Sequence, residues 1–303
     1  MEKKNDQGSL IKLFLPYILI ASIQYQITKN GLTYASPFVL MGFRYLLVGV
    51  FFYLAGGRRL RIDRDTVKIA LFASISTGLW AVGLQYVSPG DSAVLSYTMP
   101  LFSIPIAYLV IQEKASSREI AGAIVGFSGV VLYSLTLAHG SLFIGAVFTL
   151  LNAFFWAAYS VYYRKLRQSD PIPILTTQFL LGSIPFIWGA FLFPKFDLTE
   201  NLFLDLLYIV GVTGVIQYYL WNALLRRGRV GRITTMAFAV PATSIIIDSV
   251  LSSTLPSYVA VAGAAVMFFG IFLSSWSEKN ETGDKNNPDS SAVKGRDYTP
   301  AKS

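Results

Sequence analysis

The chain has 303 residues, 53% of them hydrophobic and only 14% charged, with a net charge of +8 and a mean hydropathy of +0.52. A soluble domain carries about 25% charged residues, so long apolar runs with charges clustered between them exclude a water-soluble globule and point to a polytopic membrane protein. The absence of cysteine excludes disulfide and thiolate chemistry. The single histidine, His139, excludes a multi-histidine metal site, and basic residues gathered at segment ends rather than on one face exclude nucleic acid as a partner.

The N-terminus, MEKKNDQGSLIKLFLPYILIASI, has a basic start and an apolar run, as a signal peptide does. It lacks a small-x-small cleavage site and is read as an uncleaved first transmembrane helix. Apolar segments lie near 10–29, 36–55, 67–87, 92–112, 118–136, 141–163, 173–193, 204–225, 232–253 and 257–276, ten in all. Each can span a bilayer of about 30 Å, which takes roughly 20 helical residues. At such length only helices satisfy their own backbone hydrogen bonds in lipid. Beyond Trp276 the composition turns polar, so 277–303 is expected to be a disordered cytoplasmic tail.

Lys and Arg fix the expected orientation. Lys3, Lys4 and Lys12, the run from Arg58 to Lys68, Lys114 and Arg118, the run from Arg164 to Arg167 and the run from Arg226 to Arg232 fall on one side, with Lys29 and Lys195 on the other. The positive-inside rule places the rich side, and with it both termini, in the cytoplasm, for a protein of the plasma membrane.

The stretch Ser88–Leu135 nearly recurs, without a gap, as Arg229–Trp276. Pro100 falls on Pro241, Ser103 on Ser244, Gly122 on Gly263, Gly129 on Gly270 and, further back, Trp80 on Trp221. Such self-similarity marks a duplication, with repeats at 5–136 and 141–276. Five helices per repeat is an odd number, so the second repeat enters the membrane the other way up. The fold expected is therefore all-α, ten transmembrane helices as two inverted five-helix repeats related by about 180° in the membrane plane, with the substrate site near the midplane.

The candidate chemistry is intramembrane. Arg44 and Asp248 are charges that hydrocarbon penalises and that face a cavity or a partner. Arg44 reads as a structural or gating residue that holds helix ends or carbonyls. Asp248 reads either as a proton or cation coupling site or as an outer-end residue reaching interfacial water. Asn152, Trp156 and Tyr159 share one helix face, as do Gln217 and Trp221, with Asn222 beside them. With Gln24, Trp80 and Tyr97 they form the candidate substrate-binding set, although serines and glycines also serve as helix glue and Trp and Tyr as interfacial anchors. Pro100 and Pro241 kink their helices at equivalent positions, as hinges or as static bends. Gly122, Gly126, Gly129, Gly263 and Gly270 mark a close-packing or dimer face. No Ser/His/Asp, Cys or paired-carboxylate set is present, so catalytic residues, metal ligands and cofactors are not expected.

Taken in order, Pro100, Glu113, Gly122 and Gly129, their copy Pro241, Gly263 and Gly270, and Arg44 with the basic ends at Lys29 and Arg164–Lys165 resemble the drug/metabolite transporter superfamily, in particular proteins with two EamA-like domains. The resemblance covers about 5–276. Two positions depart from it: Thr254 stands where a second Glu is usual, and Ala21 where a Trp is. It implies a secondary transporter that moves amino acids or other metabolites, often outward, with Glu113 in a structural or gating role. A small-molecule substrate and the bilayer are then its partners, with protons added if Asp248 couples. A nucleotide-sugar or sugar-phosphate carrier, with Arg44 and Lys29 as cavity cations, and a non-transporting scaffold are the alternatives.

Overall fold

The computed structural model describes residues 2–134, 141–251, 253 and 257–275. The expected tail, 277–303, lies outside them, as do His139 and Thr254. Among the described residues every named element is helical, and the one β-bridge joins Ala35 to Phe196. The elements are α1 (Glu2–Tyr34), α2 (Pro37–Ala55), α3 (Arg64–Leu84), α4 (Pro89–Ser96), α5 (Met99–Ile111), α6 (Ser117–Ser134), α7 (Ser141–Lys165) and α8 (Pro171–Leu192). They continue as α9 (Glu200–Leu207), a π-helical segment (Tyr208–Gln217), α10 (Tyr218–Arg227), α11 (Val230–Met236), α12 (Ala239–Leu251) and α13 (Tyr258–Ser275).

Eight stretches among the described residues are long and apolar enough to cross a membrane: Leu10–Tyr34, Pro37–Ala55, Arg64–Leu84, Pro89–Ile111, Phe143–Lys165, Pro171–Leu192, Glu200–Arg227 and Val230–Leu251. The ten segments expected from hydropathy exceed this by two. Those two are helical, as α6 and α13, and α13 holds a shorter apolar run, Val261–Leu273.

Helix starts follow local chemistry. Ser36, Ser88 and Asp170 each cap a helix whose first residue is proline, so the side chain satisfies a free N–H and the ring presets φ. Asp63 and Thr66 form a reciprocal capping box on α3. Burial pushes the Asp63 carboxyl up, but the Thr66 N–H, Arg61 and the Thr66 hydroxyl outweigh it and bring it down to about 2. Replacing Asp63 with alanine should cost about 1 kcal/mol. The depressed carboxyl contributes fully above about pH 4, the value of a free Asp, so the melting difference between wild type and variant should shrink as pH falls from 4 toward 2. A difference independent of pH over that window would refute the cap's charge.

Two spans are broken near their prolines. α4 ends and α5 begins around Tyr97 and Thr98, just before Pro100, while α11 gives way to α12 at Ala237 and Phe238, just before Pro241. Proline withholds the N–H that the fourth residue back would accept, and tighter bonds take over, Leu101 N to Thr98 O at 3.1 Å and Val240 N to Ala237 O at 2.9 Å. The eighth expected segment is interrupted differently, by the π segment, whose Gly214 lies so close to Val48 that a Cβ there would come within 2.3 Å of it.

The glycines pack α6 against α13. A Cβ on Gly129 would lie 2.6 Å from the Gly263 carbonyl, and one on Gly270 would lie 2.6 Å from the Gly122 carbonyl. Gly122 therefore pairs with Gly270 and Gly129 with Gly263, which makes the two helices antiparallel. The stripe is spent inside one chain, which removes the dimer face as its reading. Likewise, Gly42 and Gly49 of α2 meet Phe186 and Leu180 of α8 in reverse order.

Candidate functional site

A cavity of about 50 Å³ lies where α1, α2, α3, the α4–α5 break, α7, the π segment and α10 converge. Its walls are Tyr17, Gln24, Tyr25, Arg44, Ser76, Thr77, Trp80, Ser96, Tyr97, Met99, Asn152, Trp156, Gln217 and Tyr218. At roughly 15 Å³ per water in this measure, it holds a few waters or one small polar group as it stands.

Much of the wall is cross-linked. Ser76 donates to Asn152 Oδ1 at 2.7 Å, and Asn152 Nδ2 donates to Ser96 Oγ at 3.0 Å, so one amide ties α3, α4 and α7 together. The hydroxyls of Tyr17 and Tyr97 meet at 3.1 Å, which pins the α4–α5 break to α1. Tyr45 stands behind the wall and donates to the Ala73 carbonyl at 2.8 Å, with the Thr77 hydroxyl 2.8 Å away. Aromatic faces complete the wall: Tyr25 meets Trp80 edge-on at 5.5 Å, and Trp156 meets Tyr218 edge-on at 5.5 Å.

Other groups are left unspent. Arg44 is only 3% exposed. Its Nη2 donates to the Thr213 carbonyl of the π segment at 3.1 Å, and its Cζ lies 5.3 Å from the centre of the Tyr218 ring. Its Nε has no partner, and neither do Trp80 Nε1 and Gln217 Oε1, all three buried. Three residues of the wall thus carry two N–H donors, one of them cationic, and one carbonyl acceptor that the protein itself does not satisfy. Buried polar atoms in that state are costly unless a ligand or water meets them.

Six of the nine substrate-binding candidates line the cavity: Gln24, Trp80, Tyr97, Asn152, Trp156 and Gln217. The other three lie one helical turn deeper. Tyr159 is fully buried and donates to Asn222 Oδ1 at 2.7 Å, and Trp221 stacks on Tyr17 at 5.1 Å while its Nε1 donates to Ser160. Asn222 reaches a separate cavity at the basic end. These three form a floor under the cavity rather than its wall. Tyr17, Tyr25, Ser76, Thr77, Ser96, Met99 and Tyr218 are wall residues outside that candidate set. Tyr17 lies on the Gln24 face, two turns earlier, and that spacing was the signal available for it.

Arg44 donates to the Thr213 carbonyl and also lines the cavity. Glu113 accepts from the Val230 N–H at the start of α11 and pairs with Arg164 at 3.3 Å, joining α7 and α11. Arg229 pairs with Glu119 at 2.7 Å beside it. Asp248 does not line the cavity. It accepts from Gln26 Nε2 at 2.7 Å and crowds Gly90, where a Cβ would come within 2.9 Å of its Oδ2. Lys29 donates to the carbonyls of Leu84, Gln85 and Val87 at the end of α3, so it is not a cavity cation.

A sequence profile of the EamA-like transporter family matches residues 9–135 and again 143–276. An uncharacterized transporter of Acidianus ambivalens is 42% identical over 239 residues, 79% of this chain and 94% of that protein. A probable amino-acid metabolite efflux pump of Salmonella typhimurium is 25% identical over 288 residues, 86% of this chain and 93% of its own. One solved crystal structure superposes with a TM-score of 0.72 at 18% identity, covering 89% of this chain and 98% of the other, a likeness of fold.

Proposed function

Because the chain belongs to the EamA-like transporter family, we propose that this multi-pass membrane transporter is a secondary exporter of zwitterionic metabolites, amino acids foremost, working by alternating access. The observation that carries the reading is the set of unspent groups in the aromatic cavity. Arg44 Nε and Trp80 Nε1 suit a carboxylate, and Gln217 Oε1 suits an ammonium. The relative from Salmonella typhimurium, named a probable amino-acid metabolite efflux pump, supports the same class.

Alternating access needs two halves that exchange roles. We read residues 5–136 and 141–276 as inverted repeats of five helices each, α4 with α5 and α11 with α12 each making one broken span. The antiparallel Gly122–Gly270 and Gly129–Gly263 contacts support this, because the repeat shift converts one contact into the other. A two-fold axis that exchanges antiparallel helices runs across them, in the membrane plane. The basic clusters favour both termini in the cytoplasm of a plasma-membrane protein.

Proton coupling through Asp248 belongs to the same proposal, with the Gln26 contact as the link from α12 to the cavity helix α1. Purified protein in liposomes should exchange a labelled amino acid from a panel, and an imposed pH gradient should change the rate. Asp248→Asn should then lose the response to the gradient while retaining exchange. Silence across amino acids and related zwitterions would overturn the substrate reading, and an equal gradient response in the variant would remove Asp248 from coupling.

A further inference from the structure

At the basic end of the bundle a second cavity, of about 570 Å³, opens between α7, α8 and α10. Its volume lies in the range of small-molecule sites, about 300–1,000 Å³. Among the described residues its lining carries four guanidinium groups, those of Arg164, Arg167, Arg226 and Arg227, and no carboxylate. The acids that approach it are already engaged, Glu113 with Arg164 at 3.3 Å and Asp170 with Arg59 at 3.1 Å. Two of the cations are fixed by neutral main chain: Arg164 Nη1 donates to the Leu225 and Arg226 carbonyls, and Arg226 Nη1 donates to the Ser169 carbonyl. Main-chain contacts hold a guanidinium in place without cancelling its charge, although Arg164 is also offset by its Glu113 pair.

A second observation is independent of charge. Tyr163 and Asn222 line the same cavity at 0% and 1% exposure; Asn222 Nδ2 has no hydrogen-bond partner, and the Tyr163 hydroxyl lies beside the Arg226 guanidinium. Tyr159 donates to Asn222 Oδ1 and fixes the amide, whose Nδ2 is left without a partner. Clustered guanidiniums with neutral donors beside them match the several acceptor oxygens of a phosphate, which guanidinium can bind two at a time.

We propose that this vestibule is a phosphate site, distinct from the central cavity, that takes either a free phosphate-bearing solute or the headgroup of an acidic phospholipid. Tyr159, fully buried, touches Trp156 of the central cavity on one side and Asn222 of this one on the other, and Trp221 beside it stacks on Tyr17 of the central cavity. The site does not depend on what the central cavity transports.

The test uses the full chain in nanodiscs and reads the thermal midpoint. One arm titrates inorganic phosphate into discs of neutral phosphatidylcholine; the other replaces part of that lipid with phosphatidylglycerol and adds no phosphate. The wild type should show a saturable stabilisation in at least one arm. Stabilisation by phosphate in neutral discs assigns a free solute, and stabilisation confined to the acidic discs assigns a headgroup. The double variant Arg167→Gln, Arg227→Gln should weaken the effect by about tenfold or more, as loss of charge-assisted bonds does. Tyr163→Phe deletes one hydroxyl beside Arg226 and leaves the ring in place, so it should weaken the effect several-fold, with its ligand-free midpoint read in the same series. The proposal is overturned if the wild type is unmoved in both arms, or if Tyr163→Phe and the double variant respond as the wild type does.

Discussion

Replacing Arg44 with glutamine should lower flux of the proposed amino-acid substrate per folded protein by about ten- to a hundredfold, the worth of a hydrogen bond to a charged group. The thermal midpoint should stay where it is or rise. Arg44 is 3% exposed within a membrane span, and none of the described ion pairs includes it. An intramembrane cation without a counter-charge is costly, and the Thr213 carbonyl and the Tyr218 ring offset that cost only in part. A substrate carboxylate would complete the pairing, so the empty carrier bears the cost and the loaded carrier recovers it. Removing an unmatched buried charge tends to be neutral or stabilising, whereas removing a purely structural brace destabilises. Flux and melting therefore separate the two roles. A variant that melts early but carries normal flux per folded molecule would return Arg44 to bracing alone.

Gly270→Ala should destabilise the protein by roughly 1–3 kcal/mol, the usual result of forcing a methyl group into a packed core. The new Cβ would sit 2.6 Å from the Gly122 carbonyl and from the Gly126 N, and backbone cannot swing aside as a side chain can. Gly129→Ala should cost a similar amount, because its Cβ would meet the Gly263 carbonyl at 2.6 Å and the Met267 N at 2.8 Å. The matched pair makes the comparison a test of the inverted repeat as well as of packing. Gly211→Ala is the control: nothing lies within 4 Å of its Cβ, and alanine favours a helix by up to about 1 kcal/mol over glycine. Melting of the three purified variants decides the matter. Gly270→Ala melting with Gly211→Ala would remove the close α6–α13 contact, and a large difference between Gly270→Ala and Gly129→Ala would count against the pseudo-two-fold relation.

The polar and aromatic stripes were legible because helical period shows which residues share a face. Period says nothing about depth. Trp156 and Tyr159 lie on one stripe, yet Trp156 lines the cavity and Tyr159 lies in its floor. Gln217 and Trp221 divide in the same way. Where a cavity stops is set by what packs across the end of it, here Tyr17 on Trp221 and Tyr159 on Asn222, and both partners come from distant parts of the chain.

Amino-acid order alone pointed to the membrane class, the helical state of the apolar segments, the duplication and half of the residues that line the cavity. Each of these follows from local hydropathy, from backbone hydrogen bonding in lipid or from residues repeating at a constant shift. Tertiary structure alone decided that the glycine stripe closes α6 on α13 rather than on a second copy. It also decided that the π segment offers its Thr213 carbonyl to Arg44, that Asp248 answers to Gln26 away from the cavity, and that the arginines of α7 and α10 gather around one vestibule. These are contacts between residues far apart in sequence, and their partners are chosen by the crossing of helices, which no single helix encodes.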